Sequence, residues 1–189
     1  LFDDNALGDR FVAIHGTHLL AYGAAALGEA KAFVGICRST ERDLGDGLPD
    51  VAALVNAGAR LCTGIDSHAV TDPFEEARAM ELDERARTEK RHAALEAPDM
   101  LRALTTNAYA AIGWAGSEKA DRVLLRGDDP ALCDADDDLL EDAVLFGAGP
   151  RAVDEVWVGD QCVVEGGHHL REVEFREGYL EALRTLGLR

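Results

Sequence analysis

The chain has 189 residues, 47% of them hydrophobic, with 36 acidic against 19 basic residues and a formal net charge of −17. That length supports one compact core. It carries no basic cluster of the kind a nucleic-acid binder needs, and so acidic a surface disfavours anionic membranes.

Taken in chain order, residues 11–15 (Phe-Val-Ala-Ile-His) form a short apolar run that ends in a histidine. Residues 19–30 read as a helix despite two glycines, and 32–37 as a second buried strand. A polar loop is expected over 38–47, a short helix over 50–58, and a third strand over 60–65 that runs into Asp66. Strands that are apolar throughout are buried on both faces, as in a parallel sheet with helical crossovers. The fold class is therefore α/β. His15, Arg38 to Thr40 and Asp66 all fall at strand C-terminal ends, the edge that carries active sites in such folds.

Asp72 is a plausible N-cap for a helix over 74–93 opened by Pro73. A further helix is expected over 98–112, ending at Gly113. Beyond it the period changes: a strand at 121–126, an acidic loop at 128–138, a short helix at 139–146, and a hairpin of 153–158 with 161–165 turning at Gly159-Asp160. An amphipathic helix over 172–186 closes the chain. The patch from Asp134 to Asp138 lacks the glycine and terminal glutamate of a calcium loop and reads as a solvated loop.

The four cysteines, Cys37, Cys62, Cys133 and Cys162, fit neither a CxxC zinc pattern nor a disulfide framework. Cys37 and Cys62 sit in apolar runs, which predicts buried, reduced thiols and a cytoplasmic setting. No apolar run is long enough for a membrane span.

Three segments could carry chemistry. His15-Gly16-Thr17-His18 sits where a strand stops, and histidine suits proton transfer, oxyanion stabilisation or metal ligation; a loop cap and a packing histidine explain it equally. An Asp66 at the end of a very apolar strand needs a partner or a metal, with Ser67 and His68 as neighbours; an N-cap is the plainer alternative. The segment 37–47 holds Gly45 and Gly47 but fits no phosphate-loop pattern. His168-His169 reads as surface, since strand neighbours point to opposite faces. Trp114 and Trp157 read as packing residues.

In order, "VAIHGTHL", "VGICRSTERDLGDGLPDVAALVNAGARLCTGIDSHAV" and "DPFEEARAMEL" resemble the sixth to eighth strands of the amidohydrolase superfamily. Within its cytosine-deaminase-like branch they resemble the formimidoylglutamate deiminases. "TNAYAAIG", "KADRVLLRGDDPAL" and "VDEVWVGDQCVVEGGHH" resemble the part that leaves the barrel. The resemblance implies the C-terminal portion of a (β/α)8 TIM-like barrel over 1–116, part of a small β-sandwich domain over 117–170, and a C-terminal helix over 171–189.

It also implies His15 as a catalytic histidine and Asp66 as both a catalytic residue and a ligand of one divalent metal, most simply zinc. The reaction implied is hydrolysis of formimino-glutamate, a small-molecule substrate, to N-formyl-glutamate and ammonia. Other aminohydrolases or chlorohydrolases of this branch, and a non-catalytic remnant, are the alternatives. The HxH pair of the family's first strand and the HxxE segment of its fifth strand have no counterpart here. The N-terminal half of the barrel is thus expected in cis or in trans, with this chain inactive alone, and a homodimer is expected. Arg38 stands where the family has proline, and Arg42-Asp43 where it has Ala-Asn.

Overall fold

The structure, a computed structural model, describes residues 6–67 and 70–188. Its first sheet contains β1 (Val12–Ile14), β2 (Phe33–Ile36) and β3 (Arg60–Thr63), in the order β1-β2-β3. All pairs are parallel: Val12 faces Phe33, and Phe33 faces Arg60. β2 is central and buried at every position, as its uninterrupted apolar sequence requires. Helix α1 (Ala21–Glu29) crosses from β1 to β2. Two helices, α2 (Arg38–Leu44) and α3 (Val51–Ala57), lie between β2 and β3. α3 is capped by the Asp50 side chain, which accepts from Ala53 N–H at 2.8 Å.

Helix α2 replaces the loop expected over 38–47. Its sequence, RSTERDL, has no apolar periodicity, so the helix is held by polar contacts instead. The Glu41 side chain turns back to accept the Cys37 N–H at 2.9 Å, and Glu76 accepts the Ser39 N–H at 3.2 Å. Arg42 bonds Glu75 and Asp83 on the outer side. Gly45 ends the helix in the left-handed region, at φ 71°.

Helix α4 (Pro73–Thr88) starts where expected, with Asp72 accepting from Phe74 and Glu75 N–H. It stops earlier than the expected residue 93, at Glu89, whose φ is 55°. Three of its glutamates, Glu76, Glu81 and Glu84, are at most 2% exposed. Each receives donors from another element. Glu76 takes Ser39 N–H at the start of α2, and Glu84 takes Val51 N–H at the start of α3. Glu81 takes the N–H groups of Ala93, Ala94 and Leu95, together with Arg85. A buried carboxylate is tolerable only with such donors, and the N–H groups of helix starts are free to supply them.

The helix expected over 98–112 is two helices, α5 (Ala97–Leu104) and α6 (Thr106–Ala111). Thr105, at φ −117° and ψ −94°, breaks the run. Asn107 Nδ2 donates to the Leu61 carbonyl at 2.8 Å and fixes α6 against β3. The main core lies between this sheet and its helices. It includes Val34, Ile36, Leu54, Met80, Met100 and Leu145.

The second sheet is antiparallel, with β4 (Arg122–Leu125), β5 (Val153–Val158), β6 (Gln161–Glu165) and β7 (His168–His169) in sequence order. The hairpin turns at Gly159-Asp160, and Gly159 N–H bonds Asp121 Oδ1 at 2.8 Å. A short turn of helix, α7 (Leu140–Asp142), continues as π-helix over Ala143–Gly147. Phe74, Leu132, Ala148 and Ala152 form a small second core. Helix α8 (Glu172–Thr185) buries none of its residues. Trp157 lies under the Arg122 guanidinium at 4.3 Å. Trp114 is 61% exposed, which corrects its reading as a packing residue. No described helix is long and apolar enough to cross a membrane.

Candidate active site

His15 follows β1 directly. Its N–H donates to the Gly35 carbonyl at 2.7 Å, so the ladder continues for one more residue before the chain turns at Gly16. Asp66 follows β3 through Gly64 and Ile65. His15 (φ 67°) and Asp66 (φ 61°) both occupy the left-handed region, which costs a non-glycine residue energy. Such outliers gather at functional sites, where the surrounding structure holds them.

The imidazole of His15 lies between two carboxylates. Nδ1 is 3.2 Å from Glu41 Oε1, and Nε2 is 3.5 Å from Asp66 Oδ2. The two acids differ in setting: the Glu41 side chain is fully buried, while that of Asp66 is 42% exposed. Arg38, also fully buried, places Nη1 3.3 Å from Glu41 Oε2. Its Nε sits 3.2 Å from Asp83 Oδ2, a contact at ion-pair distance without hydrogen-bond alignment. Thr40 Oγ1 donates to the Ile65 carbonyl at 2.6 Å and joins α2 to the segment carrying Asp66.

Cys37 completes the cluster. Its sulfur, a His15 ring nitrogen and an Asp66 oxygen all lie within 4.8 Å of one another. Burial, and then the charges of Glu41, Asp66, Glu76 and Cys62, push the Cys37 thiol up to about 12. Nitrogen, sulfur and carboxylate oxygen are all donor types that zinc accepts, but a thiol is a ligand only as thiolate, and Asp66 is the anionic donor of the cluster.

The structure therefore brings together His15 and Asp66, the two residues singled out from the sequence. Ser67 is exposed beside them, and His68 lies outside the described residues. His18 is exposed near the Leu44–Gly47 segment, its Cε1 3.8 Å from where a Cβ on Gly47 would stand. His168 bonds Glu172 at 3.2 Å and His169 packs on Phe175, both in the antiparallel part of the molecule. His169 and Glu172 do spell HxxE, but they lie on β7 and α8, away from the first sheet. Glu41 was not apparent from the sequence. The available signal was an acid one helical turn beyond a buried strand, visible only once 38–44 is read as helix. A groove of about 620 Å³ lies elsewhere: it runs between α5 and the second sheet, lined by Phe74, Leu101, Tyr109, Val123 and Trp157 among others.

A sequence model of the amidohydrolase family matches residues 2–163. The chain belongs to the amidohydrolase family. It is 33% identical, over 98% of its length, to formimidoylglutamate deiminase from Pseudomonas aeruginosa, and spans 44% of that protein. Among solved structures, an amidohydrolase from Brucella melitensis superposes with a TM-score of 0.86 at 27% identity, over 98% of this chain and 43% of that one. An adenosine deaminase from Xanthomonas campestris with bound zinc shares the fold, with a TM-score of 0.80 at 23% identity over 95% of this chain and 44% of its own. The present chain thus spans less than half the length of each of these amidohydrolase relatives.

Proposed function

We propose that this chain forms the C-terminal portion of an amidohydrolase barrel, over residues 1–116, with part of a small β-sandwich domain over 117–170 and a closing helix over 171–189. In that setting His15 and Asp66 would serve a metal-dependent deiminase whose substrate is formimino-glutamate. The observation that carries the reading is the meeting of His15 Nε2 and Asp66 Oδ2, from the ends of two different parallel strands, at 3.5 Å. The 33% identity to a formimidoylglutamate deiminase supports the substrate.

Asp66 would be the ligand this chain offers to one zinc ion. Catalytic zinc takes about three protein ligands, so the set would be completed by HxH and HxxE histidines from outside these residues, in cis or in trans. When bound, the ion supplies a water whose pKa is lowered toward neutrality. The chain's own residues do the rest. Asp66 Oδ2 takes the proton of the attacking water. His15 Nε2 accepts a hydrogen bond from the polarised water and holds its oxygen in place as the formimino carbon becomes tetrahedral. Asp66 then returns that proton to the imino nitrogen and carries the remaining hydroxyl proton to it in turn, so that the C–N bond breaks, the C=O bond forms, and ammonia leaves with N-formyl-glutamate as product. A homodimer in the cytoplasm belongs to the same proposal.

The test is metal content by elemental analysis of this chain assembled, in cis or in trans, with the half that carries HxH and HxxE, followed by ammonia release from N-formimino-L-glutamate, adenosine and a triazine. About one ion per chain and preferred release from formimino-glutamate are expected. A higher kcat/KM on adenosine or the triazine would move the assignment to another aminohydrolase. Metal-free protein with no release from any of them would leave only a binding module.

A further inference from the structure

We infer that Glu41 is a positioning residue for His15: its buried carboxylate holds the proton on Nδ1 and so turns the unprotonated face, Nε2, toward Asp66 and the reacting oxygen. The inference rests on the role proposed above for His15, but its test does not need catalysis.

Two carboxylates compete for the ring protons of His15. Glu41 lies on the Nδ1 side at 3.2 Å and Asp66 on the Nε2 side at 3.5 Å. A neutral imidazole carries one N–H, and the nitrogen that keeps it is set by the better acceptor. Three observations favour Glu41. It is shorter by 0.3 Å across the two contacts. It is completely buried, so no water competes for its oxygen, whereas Asp66 is 42% exposed and has solvent as an alternative partner. Its oxygens are also fixed in place: Cys37 N–H donates to Oε1 at 2.9 Å and Arg38 Nη1 donates to Oε2 at 3.3 Å. A carboxylate with both oxygens pinned by donors cannot rotate away, and it anchors the ring at a defined angle. His15 needs that anchor, since its backbone is already at φ 67° and its ring is partly open to solvent.

The arrangement follows the same physics as a buried acid behind a catalytic imidazole elsewhere in protein chemistry: the acid selects the tautomer and orientation and need not touch substrate. Glu41 reaches His15 from a different strand connection, 26 residues away, so it reports on the assembly of the sheet edge and not on local sequence.

The experiment is long-range proton–nitrogen correlation NMR of the histidine rings in 15N-labelled protein of the full 189-residue chain, stripped of metal with a chelator. His15 is assigned by the signals lost in His15→Gln. In the native sequence Nδ1 is expected at the protonated nitrogen position. In Glu41→Gln, which can turn its amide N–H₂ toward the ring, the proton is expected to move to Nε2 and Nδ1 to shift to the unprotonated position. An unprotonated Nδ1 in the native sequence overturns the inference. So does an unchanged ring pattern in Glu41→Gln with a native amide spectrum. If that variant does not fold, Glu41→Asp retains the charge and withdraws the oxygens by one methylene. A mixed Nδ1 signal there supports the inference, and an unchanged one overturns it. These spectra need neither metal nor substrate. A protein that releases no ammonia can still show the tautomer, and an active one can still lack it.

Discussion

Gly28 of α1 meets the carbonyl of Ala57 in α3 so closely that a Cβ on Gly28 would stand 2.0 Å from that oxygen. The absent side chain is what lets the two crossover helices touch. Gly28→Ala must push α1 and α3 apart and should cost roughly 3 kcal/mol. Gly178, in the exposed α8 with nothing within 4 Å of its Cβ position, provides the contrast. Gly178→Ala should stabilise by about 0.5–1 kcal/mol through helix propensity. Urea midpoints of the two variants, at unchanged m-value, decide the matter.

The Arg38–Glu41 pair is buried on both sides. Removing only the cation leaves a carboxylate with too few donors in a dry site. Arg38→Met should destabilise by about 3 kcal/mol. Arg38→Met combined with Glu41→Leu should cost less than the sum of the two single changes. Additive effects in a double-mutant cycle by denaturant unfolding would show that the pair is not coupled.

Acid should weaken the fold through Glu81. Burial alone would raise its carboxyl, but Arg85 and the N–H groups of Leu95, Ala93 and Ala94 outweigh that and hold it below the ordinary glutamate value. The folded state therefore binds this proton less readily than the unfolded one. The stabilisation is complete above the unfolded value of about 4.3 and is lost as pH falls through the lower folded value. Glu81→Gln should be less stable at neutral pH and show a shallower decline below about pH 4. Thermal melts across that range measure it; parallel curves for the two proteins would be the contrary result.

Thiol reactivity should be ordered by burial. Cys133 is exposed, while burial pushes Cys62 up to about 11. Iodoacetamide at neutral pH should label Cys133 first and leave Cys62 untouched until denaturant is added, as read by peptide mass spectrometry.

Asp66→Asn should separate stability from function. Asparagine tolerates the left-handed backbone that Asp66 adopts, and the change removes a charge from an acid-rich pocket. Stability should be unchanged or higher by about 0.5 kcal/mol, while zinc retention falls. A large loss of stability together with retained zinc would argue against Asp66 as a ligand.

The parallel strands, their helical crossovers and the hairpin were legible because continuous apolar runs and a Gly-Asp turn are local signals. The meeting of His15 and Asp66 at one sheet edge was legible for a related reason: polar residues that terminate apolar parallel strands are placed at the same end. Helix α2 was not, because residues 38–44 carry no apolar stripe and their helix is decided by Glu76, Asp83 and Glu75 on α4. Helix α4 hid its own role in the same way. Glu76, Glu81 and Glu84 look like a solvated face in sequence, yet they are the buried face. Glu41 went unseen for both reasons, and the break at Thr105 had no glycine or proline to announce it.

One residue, Cys37, separates the end of β2 from the first residue of α2, so that junction has almost no slack. Strand β2 and Glu41 must move together, while His15 moves with β1. A slip of one position in the pairing of the two strands displaces them by about 3.3 Å, more than a hydrogen bond can absorb. The contact between Glu41 and His15 therefore acts as a gauge of alignment: the imidazole is seated only in molecules whose strands have met in the right register.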